Sequence, residues 1–137
     1  MEKAINFLKS HTDLAVATID MSNKPRLNTF QVRKIDKKGI YFATSPEMDV
    51  HLQLQYHPEV EVLASDGNVS VKISGVVDFD VSDKMCKTIF KENPDLCQSY
   101  SSHNDLIYFR LEMDQIDYYD QNTTSMVTDH YQTNHTL

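Results

Sequence analysis

The sequence contains little of what builds disulfide-rich or membrane proteins. Only two of its 137 residues are cysteines, Cys86 and Cys97. Their spacing fits neither a CxxC motif nor a secreted disulfide scaffold, so we expect free thiols. No run approaches the ~18 apolar residues of a transmembrane helix, and the N-terminus lacks the apolar core of a signal peptide. We therefore expect a cytoplasmic protein with no membrane partner.

Positive charge is also scarce. The chain has 13 Lys and Arg against 20 Asp and Glu, a formal net charge of −7. Such a field repels a polyphosphate backbone unless basic residues gather on one face. The densest basic run, Arg33-Lys34 with Lys37-Lys38, is short and brackets a turn. Nucleic acid is therefore not expected as a partner.

Motifs of metal and hydrolytic chemistry are missing as well. The six histidines show neither HxxxH nor HExxH spacing, so we expect no metal site. No G-x-S-x-G elbow marks a nucleophile, and hydrolase chemistry has no support from the sequence.

What is present is the composition of one globular domain. Hydrophobic residues make up 40% of the chain and charged residues 24%, which is far from the composition of disordered proteins. The length suits a single domain of about 100–150 residues.

Hydrophobic periodicity predicts a mostly β, α+β fold. Apolar residues at helical spacing predict helices over residues 2–11 and 82–92, and alternation predicts strands separated by turn residues. The predicted strands are 14–19, 26–35, 40–44, 60–65, 69–79, 107–113 and 116–119. Consecutive hairpins with helices inserted between them favour an antiparallel barrel or strongly curled sheet over a doubly wound fold.

Residues 46–56 fit either a strand or a helix by periodicity. Pro46 suits a first helical turn, Thr44 and Ser45 suit caps before it, and His57-Pro58 would end it, so we predict a helix. A strand running into a helix start also suits a phosphate group. From this segment alone, simple capping is the better explanation of the two hydroxyls, because capping hydroxyls are found at most helix starts.

Several short sequence segments, taken in their order along the chain, indicate a protein family. They are 14–20, Lys24-Pro25-Arg26, 39–45, Gln53-Leu54, 57–60 and 71–75. Together they resemble the pyridoxamine 5′-phosphate oxidase-like family of FMN-binding split barrels, especially the short bacterial members grouped with nitroimidazole reductase-like proteins. The resemblance covers residues 1–120, which we predict to be the split-barrel domain. Residues 121–137 lie outside it and are too polar to bury a core face, so we predict a mobile tail there unless a partner subunit orders it.

The resemblance implies a function and a site. It implies an antiparallel split β-barrel with a few flanking helices, a homodimer, FMN as cofactor, and oxidoreductase chemistry on a small-molecule substrate. Because the flavin itself transfers electrons, no catalytic residue is assigned. By position, it implies the cofactor-binding residues Arg26, Asn28, Thr29, Phe30, Arg33, Ala43, Thr44, Ser45 and Gln53. A solvated position on a hairpin explains either arginine equally well.

The chain also departs from the family pattern. Asn28 stands where many relatives have an arginine, and Glu47-Met48-Asp49-Val50 occupies a segment where they have lysines or arginines. Each lost charge-assisted contact to phosphate is worth roughly 1.5–3 kcal/mol. This favours an alternative, a non-catalytic dimeric ligand-binding or regulatory module that has lost the flavin phosphate site. Another redox cofactor, a deazaflavin or haem, is a third possibility on the resemblance alone.

Overall fold

Antiparallel strands and short helices alternate along the chain in the computed structural model, which describes residues 1–121 and 127–132. The helices are α1 (Glu2–Ser10), α2 (Val50–Tyr56), α3 (Asp83–Glu92) and α4 (Pro94–Ser99), and a 3-10 turn spans His103–Asp105. The strands are β1 (Asp13–Ile19), β2 (Pro25–Gln31), β3 (Lys34–Asp36), β4 (Gly39–Thr44), β5 (Glu59–Asp66), β6 (Val69–Asp78), β7 (Ile107–Asp120) and β8 (Val127–Gln132). The expected α+β, mostly β class is confirmed.

The strands form one antiparallel sheet in the order β2-β1-β5-β6-β7-β4-β3, with β8 also paired to β7. Val32 and Arg33 connect β2 and β3, the two strands at the ends of this order. The Val32 N–H donates to the Thr12 carbonyl just before β1 (2.8 Å), and the Arg33 N–H donates to the Tyr41 carbonyl in β4 (2.9 Å). The chain therefore passes from one edge of the sheet to the other within two residues. This crossing curls the sheet into the split barrel that we predicted.

The bend at Val32 and Arg33 corrects one predicted element. The alternation over residues 26–35 predicted a single strand, but β2 ends at Gln31 and β3 begins at Lys34. No Gly, Pro, Asn or Asp in residues 31–35 marks a turn, so turn signals do not reveal the bend, although the apolar alternation changes phase between Val32 and Ile35.

The long strand β7 connects the two parts of the barrel. One of its edges pairs with β6, and the other pairs with β4 near Phe109 and with β8 over residues 115–120. The register with β6 shifts between Ser74 and Gly75. A Cβ added at Gly75 would lie 2.1 Å from the Glu112 carbonyl oxygen, so glycine permits this close approach. The two predicted strands, 107–113 and 116–119, are thus one strand with a bulge.

The inner faces of the strands enclose the main core. The rings of Phe30, Phe42 and Phe79 lie 5.4–5.6 Å, centroid to centroid, from the ring of Phe109. Helix α1 covers part of this core with its buried residues Ala4 and Leu8. The helix predicted at residues 2–11 is therefore confirmed, with its apolar face inward.

A second cluster covers the outer face of β4. Tyr41 from β4 and Tyr108 from β7 pack with Ile89 of α3 and Leu96 of α4. Strand β4 is consequently buried on both faces. The predicted helix beginning after Ser82 is confirmed, and the Ser82 side chain accepts a hydrogen bond from the Met85 N–H. Helix α4 was not among the predicted helices, because Asn93-Pro94 also suits the end of the preceding helix.

A mobile tail was predicted after residue 120 unless a partner subunit orders it, and residues 127–132 differ from that expectation within the single chain. These residues form β8, which pairs with β7 from Gln115↔Gln132 to Asp120↔Val127. Its polar sequence gives no apolar alternation, but an open strand edge supplies backbone hydrogen bonds whatever the side chains are. Residues 122–126 and 133–137 lie outside the described residues.

Within the described residues, no helix combines the length and apolarity needed to cross a bilayer. Cys86 and Cys97 are free, as expected. Burial raises the pKa of the Cys86 thiol.

Candidate functional site

An open cleft of about 640 Å³ lies beside β2 and the end of β4. One wall consists of residues 28–31 of β2 together with Arg33. Ala43, Thr44 and Ser45 at the end of β4 continue this wall into the loop before α2. The lining also includes residues in and after α4, namely Asp95, Leu96, Ser99, Tyr100 and Leu106. In the described part of the chain, β2 pairs only with β1, so its other edge faces outward.

Seven of the nine predicted site residues line this cleft. They are Asn28, Thr29, Phe30, Arg33, Ala43, Thr44 and Ser45. The crossing of the chain between β2 and β3 brings the first four next to the last three. Their binding role remains a prediction, but the structure places them around one space.

Arg26 is one of the two that do not line the cleft. Its Nε donates to Asp20 Oδ2 across the β1-β2 hairpin at 2.7 Å. Backbone donation from Lys24 and the Arg26 guanidinium lower the pKa of Asp20. Arg26 therefore forms an ion pair within the hairpin, where its side chain is 56% exposed.

Gln53 is the second predicted residue outside the cleft lining, and it belongs to a small polar network. The Thr18 hydroxyl donates to Gln53 Oε1 at 2.7 Å and accepts from Asn28 Nδ2 at 3.0 Å. Thr18 is only 2% exposed. This network links α2 to β1 and β2 and orients the Asn28 amide.

Arg33 is the cation of the cleft, and it already has a partner. Its NH1 nitrogen lies 2.8 Å from both carboxylate oxygens of Asp95, the second residue of α4. The Arg33 side chain is 11% exposed, whereas that of Asp95 is 57% exposed. The pairing of Arg33 with Asp95 could not be predicted from the sequence, because 62 positions separate the two residues. A Pro94 suited to a first helical turn was the available signal for α4.

The loop after β4 differs from the prediction. Helix α2 begins at Val50 rather than at Pro46, and its N-cap residue, Asp49, makes no side-chain cap. The Ser45 hydroxyl instead accepts from the Glu47 N–H at 3.3 Å in a tight turn. Thr44 and Ser45 thus belong to the end of β4 and the turn that follows, and the N-cap position of α2 is Asp49. Glu47 and Asp49 are both exposed in this loop.

Two atoms in the described residues are buried without a hydrogen-bond partner, His51 Nδ1 and the Tyr108 hydroxyl. His51 Nε2 lies 3.0 Å from the Pro46 carbonyl oxygen. Burial raises the pKa of Tyr108 to about 12. Neither residue lines the cleft. The described residues contain no cluster of three or more His, Cys, Asp or Glu side chains arranged to hold a metal ion.

No protein-family model matches the sequence, and no curated protein matches it. Solved structures do match in fold. A NimC/NimA family protein from Clostridium acetobutylicum has a TM-score of 0.74 at 19% identity, covering 96% of this chain and 92% of that one. A pyridoxamine 5′-phosphate oxidase-related, FMN-binding protein from Nostoc punctiforme has a TM-score of 0.71 at 15% identity, covering 98% and 88%.

A third similar structure is named for a different ligand, haem. The haem storage protein HutZ from Vibrio cholerae has a TM-score of 0.69 at 15% identity, covering 84% of this chain and 91% of that one. The shared feature of all three is the barrel and its helices, and the resemblance inferred from the sequence is confirmed at this level. The chain has the split-barrel fold of the pyridoxamine 5′-phosphate oxidase-like, FMN-binding proteins.

Proposed function

We propose that the cleft binds a flavin of the FMN type and that the protein is an oxidoreductase acting on a small molecule. The observation that carries this proposal is the cleft itself, in which seven of the nine predicted residues surround one space of about 640 Å³. That volume lies within the ~300–1,000 Å³ of typical ligand and cofactor pockets. A protein of the same fold is described as FMN-binding.

The lining residues fit the parts of such a ligand. Phe30, Ala43 and Leu106 supply apolar surface for a ring system. Thr29 and Ser45 supply hydroxyls, and Arg33 supplies the positive charge that a phosphate requires. A bound flavin would supply the electron transfer, so the protein's part is to bind and orient it.

The cleft lining contains few residues that could bind haem iron. Histidine and cysteine are common ligands of haem iron, and neither occurs among the described residues that line the cleft. Met48 and Tyr100 are the lining residues there of a type that can bind haem iron.

We further propose that the protein works as a homodimer through the outer face of β1, β2 and β5. Leu27 is 76% exposed, Leu63 is 43% exposed and Ile19 is 38% exposed. Leu27 lies opposite Ala17, and Leu63 lies opposite Ala15, so the small alanine side chains leave a shallow apolar surface between them. Strand alternation places Leu27 on the same face as Thr29 and Gln31, which line the cleft. A second copy on this face would border the cleft.

Light scattering coupled to size-exclusion chromatography tests the dimer. Leu63→Lys places a charge in the proposed interface and should shift the protein to monomer. Leu52→Lys is the matched control, because Leu52 is 45% exposed on α2, outside this face. A Leu63→Lys protein that stays dimeric, or a monomeric wild type, would contradict the interface.

A second candidate function is a dimeric binding or regulatory module without flavin. The pairing of Arg33 with Asp95 favours it, because no other basic side chain in the described residues lines the cleft. Glu47 and Asp49 add exposed negative charge in the loop after β4.

An absorption spectrum separates the two candidates. Freshly purified protein is scanned between about 350 and 500 nm, and the scan is repeated after excess FMN is added and the unbound fraction removed. Twin flavin bands that stay with the protein would support the oxidoreductase and justify assays with nicotinamide donors and nitro or quinone acceptors. A protein that retains no FMN would favour the binding module, and a haem Soret band would contradict the flavin assignment.

A further inference from the structure

The charged side chains of the cleft form a single matched pair. Among the described lining residues, Arg33 is the one cation and Asp95 the one carboxylate. Both Asp95 oxygens lie 2.8 Å from the same Arg33 nitrogen. A phosphate group entering the cleft would therefore meet a guanidinium that is already neutralised.

Neighbouring contacts hold the start of α4, and with it the backbone of Asp95, beside Arg33. The Asn93 side-chain amide donates to the Arg33 carbonyl at 3.2 Å and to the Ile89 carbonyl at 2.7 Å. The Lys34 ammonium lies 3.0 Å from Glu92. These contacts fix the junction of α3 and α4 to the bend after β2. Because α4 starts at this junction, Asp95 competes for Arg33 at the high effective concentration of an intramolecular partner.

The two members of the pair differ in their freedom to separate. The Arg33 side chain is 11% exposed and the Asp95 side chain 57% exposed. Asp95 can turn into solvent and be hydrated there, whereas Arg33 stays in the wall of the cleft. Binding of a phosphate monoester would thus require the exchange of one anion for another on a fixed arginine.

We propose that Asp95 sets the selectivity of the cleft between phosphorylated and unphosphorylated ligands, by competing with the ligand phosphate for Arg33. This inference rests on the proposed binding of a flavin in the cleft. Asp95 is a specificity-determining residue in this scheme, acting through Arg33 and on one part of the ligand only.

The test compares FMN with riboflavin, which has the same ring system and no phosphate. Asp95→Asn keeps the size of the side chain and removes its charge. We expect it to raise FMN affinity about tenfold, by releasing Arg33 and removing repulsion of the phosphate dianion. Riboflavin affinity should stay within about twofold of the wild type, since neither effect acts on an uncharged ligand. Titrations follow the quenching of flavin fluorescence.

Three further variants separate selectivity from a structural effect. Asp95→Glu restores the charge and should return the ratio of FMN to riboflavin affinity toward that of the wild type. Glu92→Gln removes the neighbouring ion pair outside the lining of the cleft and should leave the ratio unchanged. Arg33→Met introduced with Asp95→Asn should remove the part of the gain that comes from freeing the guanidinium, so the ratio of FMN to riboflavin affinity should fall below that of Asp95→Asn alone.

The outcomes distinguish this inference from the proposed function. A ratio that rises in Asp95→Asn alone supports the inference. FMN binding with an unchanged ratio, or an equal rise in affinity for both flavins, overturns the inference and leaves flavin binding intact. Failure of the wild type and of every variant to bind either flavin overturns both.

Discussion

The hydroxyl of Thr18 connects the helix beside the cleft to two strands, and its removal should measurably destabilise the fold. Thr18→Val keeps the shape and the strand preference of the side chain while deleting both hydrogen bonds, to Gln53 at 2.7 Å and from Asn28 at 3.0 Å. Thr18 is 2% exposed, so water cannot readily replace the hydroxyl. Each lost bond is worth about 1 kcal/mol, and a partner left unsatisfied adds to the cost. The Asn28 amide keeps a longer bond to the Val16 carbonyl at 3.4 Å. We therefore expect a loss of roughly 2 kcal/mol in the free energy of unfolding.

Urea unfolding followed by circular dichroism, at one fixed protein concentration, measures this change. The midpoint should fall while the slope with denaturant stays constant. Thr29→Val is the control, since Thr29 is an exposed threonine on the neighbouring strand and its substitution should change stability by less than about 0.5 kcal/mol.

A second substitution tests the mechanism. Gln53→Leu removes the other partner, and replacing both partners with apolar groups is often nearly neutral. The double variant Thr18→Val with Gln53→Leu should lose less stability than the sum of the single losses, by about 0.5 kcal/mol or more. A Thr18→Val protein as stable as the wild type, or strict additivity in the double variant, would refute the network as a source of stability.

Three other substitutions have defined outcomes. Asp49→Lys replaces a carboxylate beside the cleft-lining residues Met48 and Val50. It should raise FMN affinity about fivefold and leave riboflavin affinity unchanged, because only FMN carries a charged phosphate. Unchanged FMN affinity in fluorescence titrations would contradict the placement of the phosphate near this loop. Gly39→Ala adds a Cβ 2.0 Å from the Leu111 carbonyl oxygen at a residue with φ of +142°, so thermal unfolding should show a loss of about 3 kcal/mol or failure to fold. Tyr108→Phe removes a buried hydroxyl without a partner and should stabilise the protein by about 1 kcal/mol in urea unfolding. Because the pKa of Tyr108 is raised from 10.0 to about 12, the folded state binds this proton more tightly than the unfolded state does, and wild-type stability should fall as the pH rises from 10 to 12. The Phe variant should lack that part of the alkaline loss.

The local elements could be predicted from the sequence because their signals are local. Asp36 and Gly39 bracket a tight turn, in which the Lys38 N–H donates to Asp36 Oδ1 at 2.8 Å. Alternating Val60 and Val62 face inward on β5, as the period of two requires. Ser82 caps α3 as its position suggests. The order of such signals was enough to indicate an antiparallel barrel and the family of folds to which it is similar.

Seven of the nine predicted site residues line one cleft, and two lie outside its lining. Residues 28–30, Arg33 and 43–45 meet in the cleft because β2 and β4 are brought together by the crossing of the chain. Arg26 and Gln53 match the same sequence pattern but lie outside the lining, where one holds a hairpin ion pair and the other a helix-to-strand hydrogen bond. A one-dimensional pattern does not separate a residue that lines a space from one that supports it.

The sequence by itself determined the hairpins, most of the helices, the buried face of the strands that alternate, and the chemical character of one wall of the site. Turn residues and hydrophobic period act over a few positions, so these features need no knowledge of the rest of the chain. Only the tertiary structure decided the edge-to-edge crossing at Val32 and Arg33, the pairing of β8 with β7, and the pairing of Arg33 with Asp95. Each of these depends on backbone edges or charges that meet across dozens of residues, and the free energy of such contacts is set by the packing that brings them together.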